Sequence, residues 1–135
     1  MDANISINGQ VTGTINFAMQ QNYIPVIRRL VFTNQGEGEL ENLRVRISFE
    51  PEFAHVFEAQ LPKLAPGVPV ELSPVRIVMH AEYLFSLTER MEGSIRLEVL
   101  QGDVCLHTEY ISIALLAYDQ WPGLLQVPEM ITGNL

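Results

Sequence analysis

The fold is decided by the stretch Gly93-Ser94-Ile95-Arg96-Leu97-Glu98-Val99-Leu100, which continues through Gln101-Gly102-Asp103 into Val104-Cys105-Leu106-His107-Thr108-Glu109-Tyr110-Ile111-Ser112-Ile113. Apolar and polar residues alternate in the first arm, as in a strand with one buried and one exposed face. The segment around Gly102 is a turn, so the stretch predicts a β-hairpin. In the second arm the apolar positions change from Val104 and Leu106 to Ile111 and Ile113, which predicts a bulge near Glu109 or Tyr110.

Further strand-like runs lie on the N-terminal side of this hairpin. Residues 43–49 alternate strictly, residues 26–33 form a dense β-type run, and residues 5–17 offer one or two strands broken by glycine. Extended patterning returns at residues 68–72 and 75–79, and only residues 81–90 have the spacing of a short helix. About seven to eight short strands separated by turn signals predict an all-β chain, an immunoglobulin/fibronectin-III-like two-sheet β-sandwich.

The charge of the chain is strongly acidic. Its 135 residues include 16 acidic and 8 basic side chains, which gives a formal net charge of −8. A negative field repels phosphate backbones, so direct nucleic-acid binding is disfavoured. The alternative is a local basic patch formed by Arg28, Arg29, Arg44 and Arg46, although charges that alternate with apolar residues are typical of the exposed face of a strand.

The first residues of the chain have neither a basic segment nor an apolar segment of the kind found in secretory signals. We therefore expect a cytoplasmic location. The single cysteine, Cys105, has no partner for an internal disulfide, which fits a reducing compartment. Because its neighbours are apolar, we expect Cys105 to be buried as a small hydrophobic residue.

No catalytic, cofactor or metal motif stands out. His55, His80 and His107 are widely spaced and have no Cys or His partner at zinc-ligand spacing. The glutamates near residues 37–41 and 50–52 flank predicted turns, whereas a carboxylate pair needs an enclosing pocket to serve acid–base chemistry. We therefore expect no catalytic residues, no cofactor, no metal ion and no enzymatic activity.

The C-terminal stretch loses the alternation of a strand but keeps large apolar residues. We expect residues 1–117 to form the β-sandwich domain and residues 118–135 to be a strap that folds back on it, or a linker to a following domain. An aromatic residue flanked by Pro and Gly is typical of an interface anchor. The candidate interface residues are Tyr118, Trp121, Leu124 and Leu125.

Several short motifs resemble one bacterial family. They are Asn16-Phe17-Ala18-Met19-Gln20-Gln21-Asn22 with Pro25-Val26-Ile27-Arg28, Leu40-Glu41-Asn42-Leu43, Leu87-Thr88-Glu89-Arg90, and Leu116-Ala117-Tyr118-Asp119-Gln120-Trp121. Over nearly its whole length the chain is similar to the N-terminal β-sandwich domain of large bacterial helicase-like proteins, in which superfamily I helicase and nuclease-like regions follow. The resemblance implies no catalytic residues in this chain, since the helicase motifs belong to other parts of such a parent.

These observations together predict a non-catalytic accessory or interaction module. Its expected partner is a protein or the neighbouring domains of a larger parent chain. We do not expect it to bind a membrane. The sequence leaves two alternatives open: an auxiliary nucleic-acid contact domain that uses the four arginines, and a carbohydrate-binding sandwich, which would need several exposed aromatic rings. The residues do not indicate an oligomeric state.

Overall fold

The computed structural model describes residues 4–17, 26–72, 75–117 and the backbone of 130–134. The predicted all-β, two-sheet sandwich is confirmed in this part of the chain, which contains nine strands and one short helix. The elements are β1 (Ile5–Thr12), β2 (Thr14–Ile15), β3 (Ile27–Asn34), β4 (Leu43–Glu50), β5 (Phe57–Leu61), β6 (Val70–Leu72), α1 (Ala81–Ser86), β7 (Met91–Gln101), β8 (Val104–Leu115) and β9 (Met130–Asn134).

The strands form two sheets. Sheet A has the order β6-β3-β1-β9, and sheet B has the order β2-β8-β7-β4-β5. All pairs are antiparallel except β2 with β8, which is parallel. β9 lies in the C-terminal segment that the sequence sets apart from the sandwich, and it pairs with β1 at the edge of sheet A.

The predicted hairpin is confirmed as β7 and β8, joined by Gly102 and Asp103. Gly102 has a φ of 60°, whereas Asp103 is not among the residues with positive φ. A positive φ at only the first central position is the signature of a type II′ turn, which matches the twist of the flanking strands.

The chain passes from one sheet to the other at Gly13. β1 ends in sheet A at Thr12, and β2 begins in sheet B at Thr14. The predicted break at Gly13 therefore occurs, whereas β1 runs through Gly9 without interruption. This crossing places β2 beside β8 at the edge of sheet B.

Alternate residues of the two sheets meet between them and form the core. The innermost side chains, which are at most 1% exposed, come from both sheets; they include Ile7, Leu30, Phe32, Val45, Ile47, Leu97 and Val99. Burial of this kind contributes roughly 1.5–3 kcal/mol for each large apolar side chain. The alternation read from the sequence therefore reflects the two faces of each strand.

Three local expectations differ from the structure. The irregularity in β8 lies at Leu106, because Val99 pairs with His107 while Leu100 pairs with Cys105; the predicted position near Glu109 or Tyr110 was wrong. Residues 75–79 form an isolated bridge from Met79 to Ala54 instead of a strand. The helix predicted over residues 81–90 is shorter, ending at Ser86.

A buried asparagine organises the loop after β3. The Asn34 side chain, 1% exposed, donates to the carbonyl oxygens of Gly38 at 2.7 Å and Leu64 at 3.1 Å. Its Oδ1 accepts from the amide of Gly36 at 2.9 Å. The loop therefore has a defined shape despite its turn-forming, acidic composition. No helix in the described part of the chain is long and apolar enough to cross a membrane.

Candidate functional site: the outward face and free edge of sheet B

One concavity lies on the outward face of sheet B. It has a volume of about 650 Å³ and is lined by side chains of β4, β7 and β8 together with residues 50–56 and His80. We call it the sheet B groove; its residues are Arg46, Ser48, Phe49, Glu50, Glu52, Ala54, His55, Val56, His80, Ser94, Arg96 and Tyr110. The register explains this arrangement, because Ser48 lies opposite Arg96, and Arg96 lies opposite Tyr110. Opposed residues in neighbouring strands share a face of the sheet.

Two histidines meet at one end of the groove. The ring centroids of His55 and His80 lie 4.0 Å apart, with the ring planes at 51°. Backbone hydrogen bonds hold them there: the His55 amide donates to Val78 and the His80 amide donates to Phe53, both at 2.8 Å. These two histidines are far apart along the chain, and the sequence gives no signal for their contact. The contact depends on the bridge between Ala54 and Met79.

The charges of the groove are unevenly compensated. Arg46 lies 3.7 Å from Glu58, and Arg96 lies 3.2 Å from Glu98. Glu50 and Glu52 are exposed at the rim, and neither forms an ion pair with a described residue. The arginines are therefore balanced by glutamates of the same sheet, and the remaining formal charge at the rim is negative.

The groove does not gather a set of metal ligands. Within the described ranges, no three His, Cys, Asp or Glu side chains are placed to hold one ion. Glu39, in the acidic loop that follows β3, is bonded instead to Lys63 at 2.9 Å. This hydrogen bond, with the charge of the carboxylate, raises the pKa of Lys63.

The outer side of β8 is only partly covered. The Ala114 amide donates to the carbonyl oxygen of Gly13 and the Leu116 amide to that of Ile15, both at 2.9 Å. Backbone groups of successive residues point to opposite sides of a strand, so those of Thr108, Tyr110 and Ser112 point to the same side as Ala114. No strand in the described part of the chain pairs with this side at residues 108–112, which we call the β8 edge.

The residues of β8 whose side chains point toward the core include a polar pair. Glu109 lies opposite Leu97 and His107 opposite Val99, so both polar side chains share the face of these fully buried residues. His107 Nε2 and Glu109 Oε1 are 2.8 Å apart. Charged residues that point inward on an edge strand oppose uncontrolled strand pairing. We therefore expect this pair to limit which strands can join the β8 edge.

Cys105 is exposed, so the expectation that it is a buried hydrophobic residue was wrong. The bulge at Leu106 is the physical reason. It turns Leu106 toward the core and leaves Cys105 opposite Leu100 on the outward face, where its Sγ lies 3.1 Å from Thr108 Oγ1.

The four arginines of the predicted basic patch are divided between the sheets. Arg28 and Arg29 are on β3 in sheet A, whereas Arg44 and Arg46 are on β4 in sheet B. Arg28 is the extra residue of a bulge, since Gln10 pairs with Arg29 and Val11 with Ile27. Arg29 is ion-paired with Glu71 on the neighbouring strand. The two pairs of arginines therefore lie on outward faces that point in opposite directions.

The candidate interface residues Tyr118, Trp121, Leu124 and Leu125 lie outside the described residues. Comparison of the chain with protein-family models, with curated proteins and with solved structures finds no match.

Proposed function

We propose that this chain is a non-catalytic interaction module with an immunoglobulin-like sandwich, and that it binds an extended segment of a partner protein along the β8 edge. The observation that carries the proposal is the direction of the backbone groups of Thr108, Tyr110 and Ser112, which face away from β7 and have no strand beside them in the described part of the chain. An added strand would satisfy these groups through main-chain hydrogen bonds.

The strand order supports the immunoglobulin-like assignment. In such domains the second strand lies between the first and the fifth in one sheet, and the third, sixth and seventh strands are neighbours in the other. Here β3 lies between β1 and β6, and β8, β7 and β4 are neighbours. β5 adds a further strand beside β4, as in the variable type of this fold.

The β8 edge also suits a specific rather than a general contact. Tyr110 is 67% exposed on the outward face. Exposed aromatic side chains are enriched at protein interfaces. We expect the inward pair His107 and Glu109 to restrict which strands can pack there, because the inward side chains of an incoming apolar strand would lie beside two polar groups.

The same proposal places the chain in the cytoplasm, in agreement with an exposed free thiol at Cys105. It also places the chain at the N-terminus of a larger bacterial helicase-like protein, as the resemblance of its motifs implies. The full reading frame of the gene tests this second point, because nucleotide-binding motifs should follow residue 135. A reading frame without such motifs contradicts the helicase association and leaves the edge proposal in place.

The edge proposal is tested by blocking the edge without disturbing the sheet. Tyr110→Pro removes an amide that is not used inside sheet B, and proline is tolerated at such edge positions. Tyr110→Ala is the matched control, because it removes the ring but keeps the amide. We expect the proline variant to lose a partner that cross-links to β8 in a cytoplasmic extract, and the alanine variant, which loses only the contacts of the ring, to bind that partner more weakly but still detectably. Equal capture by all three proteins contradicts docking at this edge.

A further inference from the structure

Tyr110 belongs to both parts of the site. Its side chain lines the sheet B groove, and its backbone faces the β8 edge. A strand added beside β8 would lie about 4.8 Å away, and every second side chain of that strand would project on the outward face. The groove therefore receives side chains of whatever segment occupies the edge.

The charge of the groove selects among such segments. Arg46 and Arg96 each have a glutamate partner within sheet B, while Glu50 and Glu52 have no ion pair among the described residues. The whole chain carries a formal net charge of −8. A cationic segment is therefore attracted both at long range and at the rim, whereas an acidic segment is repelled.

The rim is held in place before any partner arrives. The Phe53 amide donates to the Pro51 carbonyl oxygen at 2.7 Å, and the buried Phe53 ring contacts the Phe49 ring at a centroid distance of 5.1 Å. These contacts position the backbone that carries Glu50 and Glu52. A preorganised rim lowers the entropy lost on binding.

The groove also offers an aromatic surface for a cation. The ring of Tyr110 is largely exposed, and the imidazoles of His55 and His80 face the same concavity. An ammonium or guanidinium group is attracted to the face of a tyrosine ring within about 6 Å. Carboxylates and an aromatic face together suit a lysine or arginine side chain better than an apolar or an acidic one.

We propose that the segment bound at the β8 edge is basic, and that its lysine or arginine side chains enter the sheet B groove between Tyr110 and the pair Glu50 and Glu52. This inference rests on the proposed edge docking for the position of the segment. The negative rim charge supplies its preference for basic side chains.

The test uses two synthetic peptides of the same length, one alternating lysine with threonine and the other alternating glutamate with threonine. Calorimetric titration of the full chain should detect the lysine peptide and not the glutamate peptide, with affinity falling as salt rises. The double variant Glu50→Gln/Glu52→Gln should bind the lysine peptide roughly five- to tenfold more weakly, the loss expected for two exposed ion pairs. The control double variant Glu37→Gln/Glu89→Gln has the same net charge change away from the groove and should bind within about twofold of the parent chain.

The outcomes separate the two proposals. Failure of the lysine peptide to bind, equal binding of the two peptides, or equal effects of the two double variants overturns the basic-segment inference. If the groove variant weakens binding while Tyr110→Pro does not, the edge docking is wrong and the preference of the groove for cations stands. Thr108→Pro gives the same edge test if Tyr110→Pro fails to fold.

Discussion

The amide of Ala114 donates to the carbonyl oxygen of Gly13 at 2.9 Å, and this bond establishes the direction of the backbone groups along the outer side of β8. The backbone groups of successive residues point to opposite edges of the strand. Those of the even-numbered residues from Thr108 to Ala114 therefore point away from β7, within the plane of the sheet, and those of the odd-numbered residues point toward β7. β2 covers only the end of this series.

Amide hydrogen exchange should therefore alternate along β8. We expect fast exchange at Thr108, Tyr110 and Ser112, and slow exchange at Ile111 and Ile113, whose amides bond to β7. Residue-resolved exchange of the free chain, measured by NMR, checks this. Uniform protection from Thr108 to Ile113 would mean that another segment already occupies the edge, and the proposed docking would then be wrong.

The side chain of Asn34 should contribute strongly to stability. Asn34→Ala removes three hydrogen bonds and leaves the carbonyl oxygen of Leu64 without this donor in a buried setting. We expect a loss of roughly 2–3 kcal/mol in the free energy of unfolding. Urea denaturation measures it, and the exposed Asn4→Ala is the control, with an expected change within about 0.5 kcal/mol. A loss no larger than that of the control would contradict the role given to Asn34.

The hairpin turn provides a test of backbone conformation alone. Gly102 has a φ of 60° and Gly38 has no positive φ, yet an added Cβ meets nothing within 4 Å at either position. Gly102→Ala should therefore cost about 1 kcal/mol of unfolding free energy through its backbone, while Gly38→Ala should be neutral or slightly stabilising. Thermal denaturation of both variants measures this difference. An equal change in the free energy of unfolding for the two variants would exclude the type II′ assignment.

The fold was predictable from local pattern because strands such as β4 keep one buried and one exposed face. In residues 43–49 every odd position is buried, as the alternation indicates. The same rule failed in β8, where His107 and Glu109 occupy inward positions. Sequence pattern alone assigns a polar residue to the exposed face. It therefore predicts the bulge near Glu109 or Tyr110, where the alternation of polar and apolar residues changes, instead of at Leu106.

The candidate site was less predictable, for a topological reason. Ser48, Arg96 and Tyr110 form one row only because β4, β7 and β8 pair in a particular register. His55 and His80 meet only because a bridge joins two irregular segments. Neither fact is encoded in a spacing along the chain. Of these residues, only Tyr110 gives a signal in the sequence, because it is an aromatic residue that directly follows the polar residues 107–109 of β8.

The inward pair of β8 should show energetic coupling that an exposed pair lacks. The side chains of His107 and Glu109 are 23% and 17% exposed, whereas those of Arg29 and Glu71 are 57% and 46% exposed. Replacing either member of the inward pair with leucine leaves its partner without a hydrogen bond, and replacing both removes the mismatch. We expect a coupling of about 1 kcal/mol from a double-mutant cycle with His107→Leu and Glu109→Leu, against a value below about 0.5 kcal/mol for Arg29→Ala and Glu71→Ala.

The double leucine variant also tests what the inward pair does for the edge. With both polar groups removed, residues 107–113 of β8 present an apolar inward face beside an open edge, a combination that promotes pairing between copies. The variant should therefore be about as stable as the parent chain in urea but should associate at lower concentration, which sedimentation velocity measures. If it remains as monodisperse as the parent chain, His107 and Glu109 do not guard the β8 edge, and their coupling serves packing alone.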